Sequence, residues 1–439
     1  MTGGDPVAAV LDAVFRAEWG RVVAAVIGAV GDWDLAEDAA QEAFAAALPA
    51  WRRDGVPDIP RAWLITTARN RAVDRVRRAR VGAVKLRGLA GEAVTDLDVD
   101  LDSLDSGLTD ERLRLLYTCC HPALSVESRV TLALRTLCGL STAEIARTFL
   151  VPEATMAKRL VRTRRKIALA GIPYRVPPAH LLPERTTAVL HVIYLMFHEG
   201  YAATAGPDLI RGDLCDRAVD LARLVAELMS DHPEAAGLHA LLLLLDARRA
   251  ARVDPGGVPV PLEDQDRDRW DAARIGAGLA TVRHALRREQ IGPYQLQALI
   301  AACHATAPTA ADTDWARIAR LYDRLLVLVP SSTVRLNRAV AIAMRDGPQA
   351  GLDLLAAAGD HPLRPAVHAD LLRRAGRAGE AATHYRVAVG AARNDAERAF
   401  LTRRLDECAE ADGAPAGPVP PAAGPDGLGG LGGLGGLGG

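Results

Sequence analysis

Apolar residues recur at helical spacing along most of this chain. Val10, Val14, Trp19, Val22, Val23 and Val26 mark one face of a helix over Val7–Val30. Ala39, Ala40, Ala43 and Phe44 mark a second helix, which Asp34 can cap with Glu37 at the capping-box spacing. Pro49, Pro57 and Pro60 set a loop, and Trp63, Leu64, Ala68, Ala72 and Val76 then line a third helix over Arg61–Arg80. Between Leu140 and Lys166 the period breaks once. Ile145 and Phe149 belong to a short helix that should start at Thr142, because Ser141 and Glu144 have the form of a capping box. Pro152 cannot continue that helix but suits the start of another, whose inward residues are Met156, Leu160 and Ile167.

Runs of alternating β-branched residues are scarce, and alanine, leucine and arginine dominate, so the expected fold is all-α. A chain of 439 residues has room for two or three domains. Net charge is −1, so any nucleic-acid affinity must come from local patches. Two such patches are visible. The helix after Pro152 carries Lys158, Arg159, Arg162, Arg164, Arg165 and Lys166, with no acid after Glu153. A short helix, a corner and a basic second helix is how a helix-turn-helix presents a reader to the DNA major groove. A helical hairpin with a solvated basic face has the same pattern. The Arg61–Arg80 segment holds six arginines in twelve residues against the single acid Asp74, with Trp, Thr and Asn among them. That density suits phosphate contact, and the interleaved side chains suit stacking on and hydrogen bonding to single-stranded bases. Asp34, Glu37, Asp38, Gln41 and Glu42 form an acidic face, which is either solvated or a docking surface for a basic partner.

These three segments together resemble regions 2 and 4 of a bacterial extracytoplasmic-function (ECF) RNA polymerase sigma factor. The resemblance rests on D-x-A-E-D-A-x-Q-E-x-F at Asp34–Phe44, R-A-W-L-x-x-x-A-R-N-R-A-x-D-R-x-R at Arg61–Arg77, and the helix-turn-helix at 140–167. It implies a role in transcription initiation, with no covalent chemistry and no cofactor. Asp34, Glu37, Asp38, Gln41 and Phe44 would then lie on the surface that meets the β′ clamp helices of core RNA polymerase, with the β flap as a further polymerase contact. Trp63, Thr67, Arg69, Asn70, Asp74, Arg75 and Arg78 would recognise and melt the −10 element of promoter DNA. Glu153, Thr155, Lys158, Arg159, Arg162 and Arg165 would read the −35 element. The corner, where the family usually holds a glycine, is Leu150–Val151 here. Region 2 is expected over 1–81, an acidic flexible linker over 82–107, and region 4 over 108–175.

The linker contains Asp96, Asp98, Asp100, Asp102 and Asp105 in ten residues but lacks the glycine and glutamate of a calcium loop. Cys119, Cys120 and His121 sit too close in sequence to converge easily on one ion, and no C-x-x-C pair occurs among the six cysteines. No metal is expected. Free thiols suit a reducing compartment, no secretory leader is evident, and Leu238–Leu245 is too short to span a bilayer, so a cytoplasmic protein without membrane contact is expected.

Residues 179–410 continue as a series of helices. Ala366–Val389 resembles part of a tetratricopeptide (TPR) repeat, and stacked helix pairs of that kind make concave binding surfaces. Phe197–Tyr201, Asp213–Cys215, Leu262–Arg267, Gly292–Ala298 and Asp312–Trp315 resemble the ECF42 subgroup. That resemblance implies regulation of the sigma factor in cis and a small DGPF/YCII-like protein as a possible partner. His198-Glu199 is not followed by a second histidine at position 202, so no zincin site is present. Glu263, Asp264, Asp266, Asp268 and Arg267 beside Trp270 read as a satisfied ion-pair network. His180, His191, His239, His284 and His304 are scattered and read as packing or hydrogen-bonding residues, not ligands. Residues 411–439, rich in glycine and proline, are expected to be disordered. A helix-turn-helix regulator with a helical ligand-sensing domain is the alternative function; it leaves the arginine-rich helix without a task.

Overall fold

The computed structural model describes residues 5–87, 110–149, 151–203, 209–392 and 395–412. Among them the protein is all-α, with eighteen α-helices and, as its only pairing of strand type, an isolated bridge between Val253 and Pro259. The acidic run from Asp96 to Asp105, Leu150 at the corner, and the 413–439 tail lie outside the described residues. The chain divides into two compact units, Met1–Val192 and Ile193–Gly439.

In the first unit the order is α1 (Pro6–Val30), α2 (Trp33–Asp54), α3 (Pro60–Arg87), α4 (Asp110–Cys119), α5 (Val126–Thr136), α6 (Thr142–Thr148) and α7 (Glu153–Leu169). Helix α1 buries Trp19, Val22, Val23 and Val26 as its pattern predicts, but Val10 is exposed. Helix α2 is capped by Asp32, not Asp34: the Asp32 carboxylate accepts the Leu35 N–H at 3.0 Å. Glu37 is therefore free of the cap and turns inward. Pro49 does not end α2, which runs on to Asp54. An internal proline costs about 3 kcal/mol. Burial of Ala47 and Trp51 on the same helix, with Trp51 edge-on to Trp63 at 5.8 Å, opposes that cost. Helix α3 continues to Arg87, past the expected linker start at 82.

The capping box of α6 forms as its sequence predicts. The Ser141 hydroxyl accepts the Glu144 N–H at 3.1 Å, and the Glu144 carboxylate accepts the Ser141 N–H at 2.7 Å. Ser141→Ala should cost about 1 kcal/mol of local stability. Hydrogen exchange at the α6 amides would read this as faster opening; unchanged protection would show that the cap contributes nothing.

Phe15, Trp19 and Phe44 form an aromatic cluster with centroids 5.0–6.0 Å apart. Beside it α1 seats the turn after α5. Gly20 makes this possible, because a Cβ there would stand 2.8 Å from the Leu137 carbonyl oxygen. The Trp19 indole N–H donates to the Arg135 carbonyl at 3.3 Å, and the Tyr174 hydroxyl donates to the Ala24 carbonyl at 3.0 Å. The connector after α7 is thus fastened to α1.

Helix α8 (Leu182–Tyr201) crosses from the first unit's residues into the second's. The second unit continues with α9 (Gly212–Leu228), α10 (Pro233–Asp246), α11 (Ala272–Leu286), α12 (Pro293–Thr306), α13 (Trp315–Leu328), α14 (Ser332–Asp346), α15 (Pro348–Leu355), α16 (Arg364–Arg374), α17 (Ala378–Ala391) and α18 (Asp395–Asp412). Leucine-rich α10 is central, packing on α9, α11 and α12. From α12 onward each helix packs on its successor as far as α18. Helix α18, which buries Phe400, Leu401 and Cys408, closes the series.

Candidate nucleic-acid interface

Helix α7 divides its side chains by period. Met156, Leu160, Thr163 and Ile167 are buried. Lys158, Arg162, Arg165 and Lys166 are exposed and form no ion pair among the described residues. Val161 stands among them at 61% exposure. Glu153 is exposed and Thr155 half-buried at the start of the helix. Two basic residues leave the face: Arg159 pairs with Glu127 of α5, and Arg164 turns back toward α2. The open surface is thus a cationic stripe with two large apolar side chains in it, Val161 and, at the end of the helix, Leu169. Such a face can contact phosphates and base edges. The charge run predicted the stripe; the exposure of Val161 and Leu169 follows from the same period, since both fall off the face of Met156, Leu160 and Ile167.

On α3, Leu64, Ala68 and Ala72 are buried at steps of four. Trp63, Thr67, Asn70, Asp74 and Arg78 follow at steps of four, three, four and four, which keeps them on one other face. Asn70, Asp74 and Arg78 are exposed, and Trp63 and Thr67 are half-buried. Arg71 pairs with Glu42 at 3.0 Å, and Arg75 pairs with Glu42 and with Asp38 at 3.4 Å. Arg69 is half-buried, with Nη2 buried and lacking a hydrogen-bond partner. The arginine density of the sequence therefore divides in two. One part neutralises the acids of α2, and the other remains on the polar stripe.

The acidic face of α2 is not wholly a surface. Glu37 is 2% exposed, and Phe44 is 6% exposed inside the aromatic cluster. Glu37 Oε2 accepts Arg135 Nε at 2.8 Å, and Oε1 accepts Arg164 Nη2 at 2.5 Å. Arg164 also reaches Asp34. The helix expected to read DNA is therefore tied to the helix expected to meet polymerase. Asp34 and Asp38 remain open to solvent at the edge of this contact, and Gln41 is exposed.

The other candidates divide between packing and hydrogen bonding, with His180 and His284 exposed and His284 against Arg287. Cys119 Sγ lies 3.1 Å from the Thr136 hydroxyl, and His121 Nε2 lies 2.8 Å from Arg185 Nη2. All six cysteines are buried, and burial raises the pKa of Cys120 and of Cys215 to about 12. Burial lowers His304 to about 3 and His239 to about 4, so both are neutral near pH 7. No described helix is long and apolar enough to cross a membrane. The expected charged network around Arg267 forms only in part. Glu263 and Asp264 pair with Arg374 at 3.6 Å and Arg404 at 4.0 Å. Arg267 instead donates to the carbonyls of His304 and Ala307 and lies 4.4 Å from the centre of the Trp270 ring. Its place on a 3-10 turn aims it at the C-terminus of α12, away from the neighbouring acids.

The family profile of Sigma-70 region 2 matches residues 14–81, and that of Sigma-70 region 4 matches residues 114–167. Residues 185–286 match a family of unknown function, DUF6596. A protein of Rhizobium meliloti (strain 1021) described as uncharacterized is 44% identical over 387 residues, covering 86% of this chain and 90% of that protein. The probable ECF RNA polymerase sigma factor SigI of Mycobacterium tuberculosis (strain ATCC 25618 / H37Rv) is 31% identical over 180 residues, 41% of this chain and 60% of SigI. The ECF RNA polymerase sigma factor SigK of Mycobacterium ulcerans (strain Agy99) is 32% identical over 158 residues, 35% of this chain and 78% of SigK. No solved structure is significantly similar. Both sigma profiles fall in order on the helices that carry the two open polar faces, and SigK is matched over most of its length: the chain belongs to the family of ECF RNA polymerase sigma factors.

Proposed function

We propose that this sigma factor grips one promoter at two places. The stripe of Lys158, Arg162 and Arg165 on α7, with Glu153, Thr155 and Arg159 around it, reads the −35 duplex. The stripe of Trp63, Thr67, Asn70, Asp74 and Arg78 on α3, flanked by Arg69 and Arg75, captures the opened −10 strand. Asp34, Asp38 and Gln41 hold core polymerase, and Glu37 joins them once Arg164 lets go. The observation that carries this reading is the pair of open polar faces on two separate helices, one cationic and one mixed, each on a matched sigma region.

By their names the two elements lie about 25 base pairs apart, roughly 85 Å at 3.4 Å per base pair. A compact unit of this length is roughly 40 Å across. The packed first unit therefore cannot span both, and promoter binding requires α2 and α7 to separate. The Glu37–Arg164 contact is then a latch on the free chain. Residues 179–410 act in cis on that equilibrium, as a TPR-like stack would; the successive packing of α12 through α18 supports this. The site of action is the cytoplasm, with core polymerase and promoter DNA as partners.

Run-off transcription with purified core polymerase on a promoter pool tests the whole reading; no transcript from any promoter would sink it. A finer test is Asn70→Ala. It should give about tenfold fewer open complexes, for a lost base contact of about 1.4 kcal/mol, with duplex binding by α7 unchanged. An undiminished permanganate-reactive bubble would remove Asn70 from the melting surface.

A further inference from the structure

The second unit buries two arginines whose charges no carboxylate among the described residues meets. Arg252 is 6% exposed and Arg248 8%. Both rest on Tyr201. Arg248 Nη2 lies 3.1 Å from the phenolic oxygen. The Arg252 guanidinium lies 3.5 Å from the ring centre and donates to the Tyr201 carbonyl. Neither forms an ion pair among the described residues, and Arg248 Nη1 is buried without a hydrogen-bond partner. Elsewhere in the unit buried charge is matched: Asp246 takes Arg249 and Arg274, and Asp370 takes Arg373 and Arg374. Two adjacent buried cations without an anion are costly to keep, and burial with the neighbouring charge of Arg248 holds the Arg252 pKa below its ordinary value.

Beside Arg252 lies a cavity of about 190 Å³. The end of α8 brings His198 to it, α16 brings Ala366, α17 Ala388, and α18 Leu401. Its wall is mostly alanine, leucine and proline, and Arg252 is the one cationic arginine among its described residues. Glu397 also lines it. The space is many times the roughly 10–15 Å³ that a single water needs. A phosphate would find too few donors here, since phosphate recognition converges several charged groups. A carboxylate on an aliphatic body satisfies both halves of the wall.

We propose that this cavity binds a small organic monocarboxylate, its carboxylate on Arg252 and its hydrocarbon body against the alanine and leucine wall. The regulatory meaning of such binding rests on the cis-acting role proposed above; the binding itself does not.

The test uses the full chain with hexanoate, hexanamide and inorganic phosphate, read by titration calorimetry and thermal shift. Hexanoate should bind saturably at one site per chain and raise the melting midpoint. Hexanamide, which lacks the charge, should bind at least tenfold more weakly, and phosphate should be silent. Arg252→Gln should abolish hexanoate binding. A variant at a buried arginine risks misfolding, so Ala388→Leu provides a second route: it fills the space, keeps the arginine, and should lose hexanoate with an unchanged far-UV spectrum. If both variants misfold, the acid–amide difference in the unsubstituted chain still decides. Silence from hexanoate, equal binding of the amide, a response to phosphate alone, or undiminished binding in a folded Ala388→Leu chain would each overturn the proposal. Specific hexanoate binding with run-off transcription unchanged on deleting residues 179–439 supports the site and overturns only the regulatory reading.

Discussion

Glu37→Gln and Arg164→Gln should show a coupling of about 2–3 kcal/mol in a double-mutant cycle of chemical unfolding. The Glu37 side chain is 3% exposed and its two guanidinium partners are 14% and 15% exposed. Removing one partner of a buried pair costs about 3–5 kcal/mol, because the other charge stays buried and uncompensated. Glu37→Gln leaves two such arginines and should be the more damaging single change. Arg164→Gln leaves Arg135 to meet the carboxylate and should cost less. Asp34 is 73% exposed, so its share of the Arg164 contact is small. Both single variants should also expand the free chain in small-angle scattering, as α7 leaves α2. Additive single costs, within about 0.5 kcal/mol, would show that the contact does not form in solution.

The second large effect is on DNA. Replacing Lys158, Arg162 and Arg165 together by Ala should weaken binding to a −35 duplex by about 10²–10³-fold at physiological salt. The slope of log affinity against log salt should fall by about 2.7, three phosphate charges at about 0.9 each. A base contact by one of the arginines would add sequence preference worth about 1–3 kcal/mol, lost in the same variant. Arg159→Ala is the internal control. Its side chain is held by Glu127, so its slope change should be smaller than that of Arg162→Ala. Fluorescence anisotropy across a salt series measures all of these. An unchanged slope in the triple variant would place the DNA elsewhere.

The sequence was most informative where structure is local. The Ser141–Glu144 box and the α7 stripe depend on side chains three and four residues apart, and both formed as their spacing requires. The sequence was least informative where one residue meets another far along the chain. Glu37 and Arg164 are 127 positions apart, and nothing in either segment marks the other as its partner. The acidic run around Glu37 predicted a polar face correctly but not that one carboxylate of the run would be sealed beneath another helix. Phe44 sits in a motif read for its partner surface, yet its ring belongs with Phe15 and Trp19. Pro49 misled for the opposite reason: a strong local breaker was overridden by burial of the residues around it. Arg267 lay among acids in sequence but was carried away from them by a 3-10 turn.

The burial of every cysteine makes the chain its own reporter of breathing. A covered thiol reacts with a maleimide only when the packing around it parts. Labelling rate then measures how often that happens. Cys119, Cys120 and Cys138 keep time for the first unit, while Cys215, Cys303 and Cys408 keep time for the second. Mass spectrometry of one unsubstituted sample can therefore separate the two rates without any engineered probe.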